Sequence, residues 1–300
     1  MGALSVAFGI AVVLLMLRDV VHELFDPDDT GALSRYVMHG AWRLLRRIGR
    51  RWRGAIYHAG PAALMSAAVT WTAMLILGGA FVYWPHLPAG FNVNPSLPPE
   101  ATRGFATALY VSMATSTTLG SSDIVPVLDG LRYAGAIQSL VGVVLITAWI
   151  TWVLSIYPVL AERRAFAREV ERFRRTQPSP EAAVRELPHE AVTELMRSLT
   201  EQVLRVNSQL SQTRVTYYFQ NRSPELALAI QLPYVLSLAR AAEAVPGPDG
   251  AIRSRGALLR GAVESLCEEI GTQFLDLPED APPERVIEAL AADHLLDRRG

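Results

Sequence analysis

Long apolar stretches dominate the first half of the chain, and helix-period patterning takes over in the second. The first apolar run, from about Ala3 to Leu17, stops at Arg18, Asp19, His22 and Glu23. That length is marginal, since a helix needs about 20 apolar residues to cross a bilayer. A retained helix competes here with a cleaved signal peptide, but such a peptide needs a basic lead-in and a clean small-x-small cleavage site. The second run, Pro61 to Trp84, is long enough to span and closes on Phe81, Tyr83 and Trp84, aromatic residues suited to a membrane interface. A third run, Tyr133 to Ala161, carries no charge and at 1.5 Å per residue exceeds the thickness of the hydrocarbon. Its far end is predicted to project beyond the bilayer.

Between the first two spans, Leu33, Val37, Ala41, Leu44, Leu45, Ile48 and Trp52 recur at helical spacing opposite a set of arginines. This is the pattern of an amphipathic helix lying in the interface. Past the third span, Thr176 to Pro180 reads as a linker, and Pro246 to Gly250 and Pro278 to Pro283 read as breaks. Ser179-Pro180-Glu181 and Ser223-Pro224-Glu225 read as helix starts, with Ser at the cap and Pro in the first turn. The helices so delimited lie near 189–214, 224–244, 251–275 and 283–297. Val192, Leu195, Met196, Leu199, Val203, Val206 and Leu210 form one stripe, a core face in preference to an oligomer seam. The whole pattern predicts an all-α membrane protein in four segments: an N-terminal transmembrane helix (1–24), a basic interfacial helix (25–59), a paired-helix membrane module (60–161) and a soluble helical domain (162–300).

Composition agrees with a membrane protein that has a soluble part: 50% hydrophobic, 19% charged, mean hydropathy +0.21. A net charge of −1 excludes a global basic surface for nucleic acid, so charge is informative only by position. No acid occurs between Thr30 and Pro99, whereas Arg35, Arg43, Arg46, Arg47, Arg50, Arg51 and Arg53 crowd the first connector. The third span likewise exits into Glu162-Arg163-Arg164, Arg168, Arg172, Arg174 and Arg175. The positive-inside rule then places both ends in the cytoplasm of a multi-pass inner-membrane protein, with residues 85–100 as an outer turret. Arg43, Arg46, Arg47 and Arg50 are expected to meet anionic lipid. Asp19, His22, Glu23 and Asp26 share one helix face, where ion pairs with Arg43, Arg46 or Arg47 are preferred to a divalent metal site. The single cysteine, Cys267, excludes an internal disulfide and reads as a small core residue.

Thr117-Thr118-Leu119-Gly120-Ser121-Ser122-Asp123 stands between two apolar spans, and polar non-helical backbone at membrane depth survives only inside protein or along a water-filled path. Ion filters of backbone carbonyls and threonine hydroxyls are such paths. The run Ala108 to Pro126 resembles the pore helix and filter of the potassium-channel (P-loop cation channel) superfamily, whose filter reads Thr-Val-Gly-Tyr-Gly-Asp. Thr118, Leu119, Gly120, Asp123 and Pro126 match that pattern without a gap, Arg132 falls where the next helix opens, and Gly142 falls at the inner-helix hinge. Ser121 and Ser122 replace the filter Tyr and second Gly, Val111 replaces one pore-helix aromatic beside Tyr110, and Ala114 replaces a Glu found in some members.

The resemblance covers roughly residues 60–160. It implies a homotetrameric channel for monovalent cations, with K+ or Na+ held at Thr118, Leu119 and Gly120 and a pore helix over 101–116. The departures imply a wider outer filter and weak discrimination between potassium and sodium. Along the third span Gly142, Ile146, Ile150, Leu154 and Pro158 recur every four residues, a greasy face able to close a pore by dewetting, with Gly142 permitting a bend and Pro158 removing a helical hydrogen bond. An ordinary packed helix with a small-residue contact at Gly142 is the competing reading. No Cys/His metal spacing, nucleophile elbow or phosphate-cradling loop supports an enzyme or a bound cofactor, and the soluble domain lacks the Gly-rich strand-to-helix turn of nucleotide-binding regulators. His86 reads as a solvated turret residue in preference to an external pH sensor. A non-conducting membrane sensor with a degenerate pore, and a conventional potassium-selective channel, stand as alternatives. A transporter subunit with four linked pore repeats is disfavoured by the single repeat.

Overall fold

The computed structural model describes residues 2–25, 31–98, 102–117, 119–120, 122–246 and 250–296. Ten α-helices occur among them, and the contacts divide the chain into two units, Met1–His39 with Leu64–Ser155 and Gly40–Ala63 with Ile156–Gly300. Three segments are long and apolar enough to cross a membrane: Gly2–Leu24, Gly54–His86 and the apolar part of Asp129–Thr176.

In the first unit, α1 (Gly2–Phe25) runs on past Arg18, Asp19, His22 and Glu23. Asp19 is only 6% exposed, and its carboxylate accepts the backbone amides of Leu33 (3.0 Å) and Ser34 (3.2 Å), the indole N–H of Trp71 (2.9 Å) and the Ser34 hydroxyl. Leu33 and Ser34 belong to the first turn of α2 (Ala32–Gly49), so a carboxylate from another helix caps the free amides where the helix dipole favours negative charge. Asp19 is therefore committed to α2 and Trp71. Asp26 lies outside the described residues. α1 meets α3 (Ala59–Tyr83) through Gly9 and Gly78, where a side chain on either would overlap the other's carbonyl, and through Ser5 Oγ donating to the Phe81 carbonyl at 2.7 Å. Such small-residue contacts let apolar helices approach closely without a hydrophobic drive.

After α3 the chain enters a short ribbon, a departure from purely helical expectation. β1 (Phe91–Val93) pairs antiparallel with β2 (Ile124–Pro126), placing Phe91 opposite Pro126 and Val93 opposite Ile124. Between them lies α4 (Phe105–Ser116), which starts four residues later than the 101–116 expected because Gly104 takes φ 99°, outside the helical region. α5 (Asp129–Thr176) then runs 48 residues, and its helical pattern continues through Pro158. Ala80, Tyr83, Phe91, Ala108, Val111, Ile124 and Leu131 form the core that binds ribbon, α3, α4 and the start of α5.

The second unit is built on α6 (Pro180–Glu186), α7 (His189–Gln212), α8 (Leu228–Glu243), α9 (Gly250–Phe274) and α10 (Pro283–Asp293). Ser179 caps α6 as expected, accepting the Ala182 amide at 3.2 Å with Pro180 in the first turn. Ser223-Pro224-Glu225 instead opens only a 3-10 turn, Pro224–Leu226, and α8 begins at Leu228. The stripe on α7 is core: Val192, Met196, Leu199, Val203, Val206 and Leu210 are all buried. So is Cys267, its thiol pushed up to about 12 by burial and by Glu284 and Glu264.

The buried residues of α2 are Ser34, Met38, Trp42 and Gly49, a different face from the predicted stripe, of which Leu44 and Ile48, with Trp52 beyond the helix, stay exposed. Tertiary contacts explain the choice within the second unit. The Trp42 indole N–H donates to Asp293 (3.1 Å), which also takes the Tyr217 hydroxyl (2.7 Å) and pairs with Arg46 (3.3 Å). Arg46, expected on lipid, is thereby engaged by protein, and it also donates to the Ala292 carbonyl at 3.3 Å. Arg43, Arg47 and Arg50 remain exposed.

Candidate functional site: the loop after α4

α4 is 12 residues long, about half of what a bilayer crossing needs. Its end is tightly finished. Thr117 is extended (φ −98°, ψ 159°), with its amide and hydroxyl both donating to the Met113 carbonyl at 3.1 and 3.0 Å. Gly120 takes φ +67°, a left-handed conformation that glycine adopts without strain, and its amide donates to the Ala114 carbonyl at 3.1 Å. Leu119 is 79% exposed and Ser122 is exposed. Thr118 and Ser121 lie outside the described residues. Asp123 is fixed at both ends: its carboxylate accepts the Tyr110 hydroxyl at 3.0 Å and its backbone carbonyl accepts the Asn94 amide at 2.8 Å. Tyr110 thus ties α4 to the loop through Asp123.

Behind α4 lies a buried polar knot. Gln138 of α5, 7% exposed, donates from Nε2 to Ser112 Oγ (2.8 Å) and Ser116 Oγ (2.7 Å) and accepts the Tyr83 hydroxyl (2.7 Å) at Oε1. Ser112 Oγ donates onward to the Ile76 carbonyl (2.6 Å), and Ser116 Oγ to the Ser112 carbonyl (2.8 Å). Every side-chain donor has an acceptor, so the knot clamps α3, α4 and α5 together where an unmet polar group is costly. Sequence reasoning passed over it. The available signal was a lone Gln inside an otherwise charge-free apolar span, which rarely occurs without a partner.

Gly142 is buried against the end of α4, where a side chain would overlap the Ser116 carbonyl oxygen. The small-residue reading of this glycine is therefore realised, whatever bending it also allows. Further along α5, Ile146, Ile150 and Leu154 are 54%, 48% and 63% exposed and Pro158 is exposed. Ile146 also borders an apolar hollow of about 430 Å³ shared with Met65, Val69 and Thr72 of α3. The buried stripe of α5 runs instead through Leu131, Gln138, Gly142, Leu145, Trp152, Ile156 and Leu160. Beside the loop, Thr117, Gly120 and Pro126 line an open depression of about 400 Å³ with Arg132, Gly135 and Ser139. His86 Nδ1 bonds the Val82 carbonyl at 3.0 Å. No group of three or more His, Cys, Asp or Glu side chains arranged to hold a metal occurs among the described residues.

Residues 70–157 match the family Ion_trans_2, described as Ion channel. That stretch contains most of α3, all of α4, the loop and most of the apolar part of α5, so an ion-channel family domain is present in this chain. Neither the curated proteins nor the solved structures compared with the chain gave a match.

Proposed function

We propose that the protein is a homotetrameric channel for monovalent cations in the inner membrane, with the loop Thr117 to Asp123 as its filter. The carrying observation is a helix too short to span, followed by a turn at Gly120 and lying inside the segment matched to ion channels. One copy cannot surround an ion. Four copies converging at the loop would fill the open depression beside Gly120 and cover apolar α5 residues such as Ile137, Leu140 and Val144, each more than half exposed in the single chain.

In this assembly Thr118, Leu119 and Gly120 offer hydroxyl and carbonyl oxygens to K+ or Na+, and the C-terminal end of α4 turns its partial negative charge towards the ion path. Ile146, Ile150 and Leu154 line the inner path as dry rings, and α5 carries the gate's motion to the helical domain. Arginines on the first connector and after the third span support a cytoplasmic position for residues 25–59 and 162–300. Arg43, Arg47 and Arg50 are left to anionic lipid.

The replacement of the filter Tyr and second Gly by Ser121 and Ser122 supports weak discrimination between potassium and sodium. A conventional potassium-selective filter is the second reading, favoured by the Tyr110–Asp123 bond, since a braced filter holds its carbonyls at fixed spacing. Reconstitution into liposomes with opposed potassium and sodium gradients separates the two. Comparable flux of both ions is expected, and a reversal potential at the potassium equilibrium value would establish the second reading. Absence of cation flux under all conditions would make the protein a non-conducting sensor.

A further inference from the structure

The second unit has a partly open cavity of about 40 Å³ between α5, the 3-10 segment Arg214–Tyr218 and the ends of α8 and α10. At one water per 10–15 Å³ of such volume, it holds roughly three waters or a molecule of a few heavy atoms. Its walls are mainly apolar, yet four nitrogen-bearing side chains line it, Arg163, Gln220, His294 and Asn221, the last already donating to the Leu226 carbonyl at 3.1 Å. Arg163 spans the Thr216 carbonyl (2.8 Å) and the Phe219 carbonyl (2.6 Å), and these acceptors are neutral; no carboxylate partners this guanidinium among the described residues. Gln220 Nε2 and His294 Nε2 are both shut off from solvent without a hydrogen-bond partner.

Buried polar groups left unmet are rare and costly, so two at one cavity beside a cation with no carboxylate partner among the described residues call for an acceptor-rich occupant. The imidazole feels the same field: burial, then Arg163 and Arg46, lower the His294 pKa from 6.5 to about 3, so the ring is neutral at pH 7 and its Nε2–H tautomer can donate. Arg46 is already paired with Asp293, so Arg163 is the cation lining the space that has no carboxylate partner among the described residues. One charge, several donors and a small apolar remainder match a monoanion with a short hydrocarbon tail better than a dianion.

We propose that this cavity binds a short-chain monocarboxylate, its oxygens received by Arg163, Gln220 Nε2 and His294 Nε2 and its alkyl end seated against Leu210, Ile270 and Leu290. A bidentate carboxylate suits the planar guanidinium, whose remaining N–H groups are free once the two carbonyls are served. Binding is a property of the helical domain and does not depend on conduction.

Propionate titrated calorimetrically into the full chain in detergent tests the site. Saturable binding of one propionate per chain in the millimolar range is expected, with propionamide, propanol and chloride giving none. Gln220→Leu, which removes a donor that has no protein partner, is expected to weaken propionate at least tenfold, and Ala227→Leu to block it by filling the cavity. No saturable propionate binding, equal binding of propionamide, or tighter binding of inorganic phosphate would each overturn the proposal. So would wild-type affinity in both variants. The ligand series is run on the unmodified protein, so it decides the matter even if a variant fails to fold.

Discussion

Gly142 has no room for a methyl group, because the carbonyl oxygen of Ser116 occupies that space. The obstacle is backbone at the end of α4 and cannot swing aside as a flexible side chain would. Gly142→Ala is therefore expected to destabilise the protein by about 1–3 kcal/mol, the usual cost of overpacking, read as a lower unfolding midpoint in detergent. A hinge role alone predicts unchanged stability with altered opening, so the midpoint separates the two. Gln138 makes a complementary case at the other side of Ser116. Gln138→Leu leaves the Tyr83 hydroxyl without its acceptor and Ser112 and Ser116 without a donor. The expected loss is about 1–2 kcal/mol, at the upper end for polar contacts between membrane helices, and Gln138→Glu, which keeps the acceptor for Tyr83, is expected to restore part of it.

At the scale of elements, α5 carries two kinds of information. Its buried stripe packs within the chain, while Ile146, Ile150 and Leu154 are exposed and form the face proposed for the ion path. Leu154→Asn is expected to wet the narrowest ring and raise basal flux in liposomes several-fold. Unchanged flux in single polar variants at all three positions would remove this face from the pore. The long apolar helices were legible from the sequence because a run of uncharged residues has few other uses. The helices after α5 were legible where Ser179 and the α7 stripe carried local signals. What stayed hidden depends on partners distant in sequence: Asp19 capping α2, Asp293 gathering Trp42, Arg46 and Tyr217, and Gln138 knotting three helices. An amphipathic stripe fixes which face of α2 is apolar, but the face it buries was decided by Trp42 and its partner on α10, 251 residues away. The β1–β2 ribbon escaped for a related reason, since three-residue strands leave too short a pattern to read.

The whole molecule has to answer for apolar surface that a single chain leaves bare. Leu119, Tyr133, Ile137 and Leu140 are exposed by 79%, 72%, 62% and 64%, close to a loop whose proposed chemistry requires copies around one axis. Native mass measurement in detergent is expected to give a fourfold complex, and a population limited to monomers or dimers would remove the channel reading. Within that assembly, selectivity depends on how many dehydrated sites the loop can hold. Gly120 already sits at φ +67°, the kind of backbone that turns a carbonyl inward, but Ser122, in the place of the second filter glycine, pays roughly 1 kcal/mol or more to do the same. Ser121 is also too short to lean on pore-helix aromatics, so Tyr110 and Asp123 are left to brace the outer end. Fewer carbonyl sites mean that water accompanies the ion further, and sodium, the more strongly hydrated ion, is excluded less. The double change Ser121→Tyr with Ser122→Gly is expected to shift the reversal potential towards potassium while Tyr110→Phe, which frees the Asp123 carboxylate, shifts it back. If the double variant conducts with unaltered selectivity, discrimination is set below Gly120, at Thr118 and Leu119, and the outer serines have no part in it.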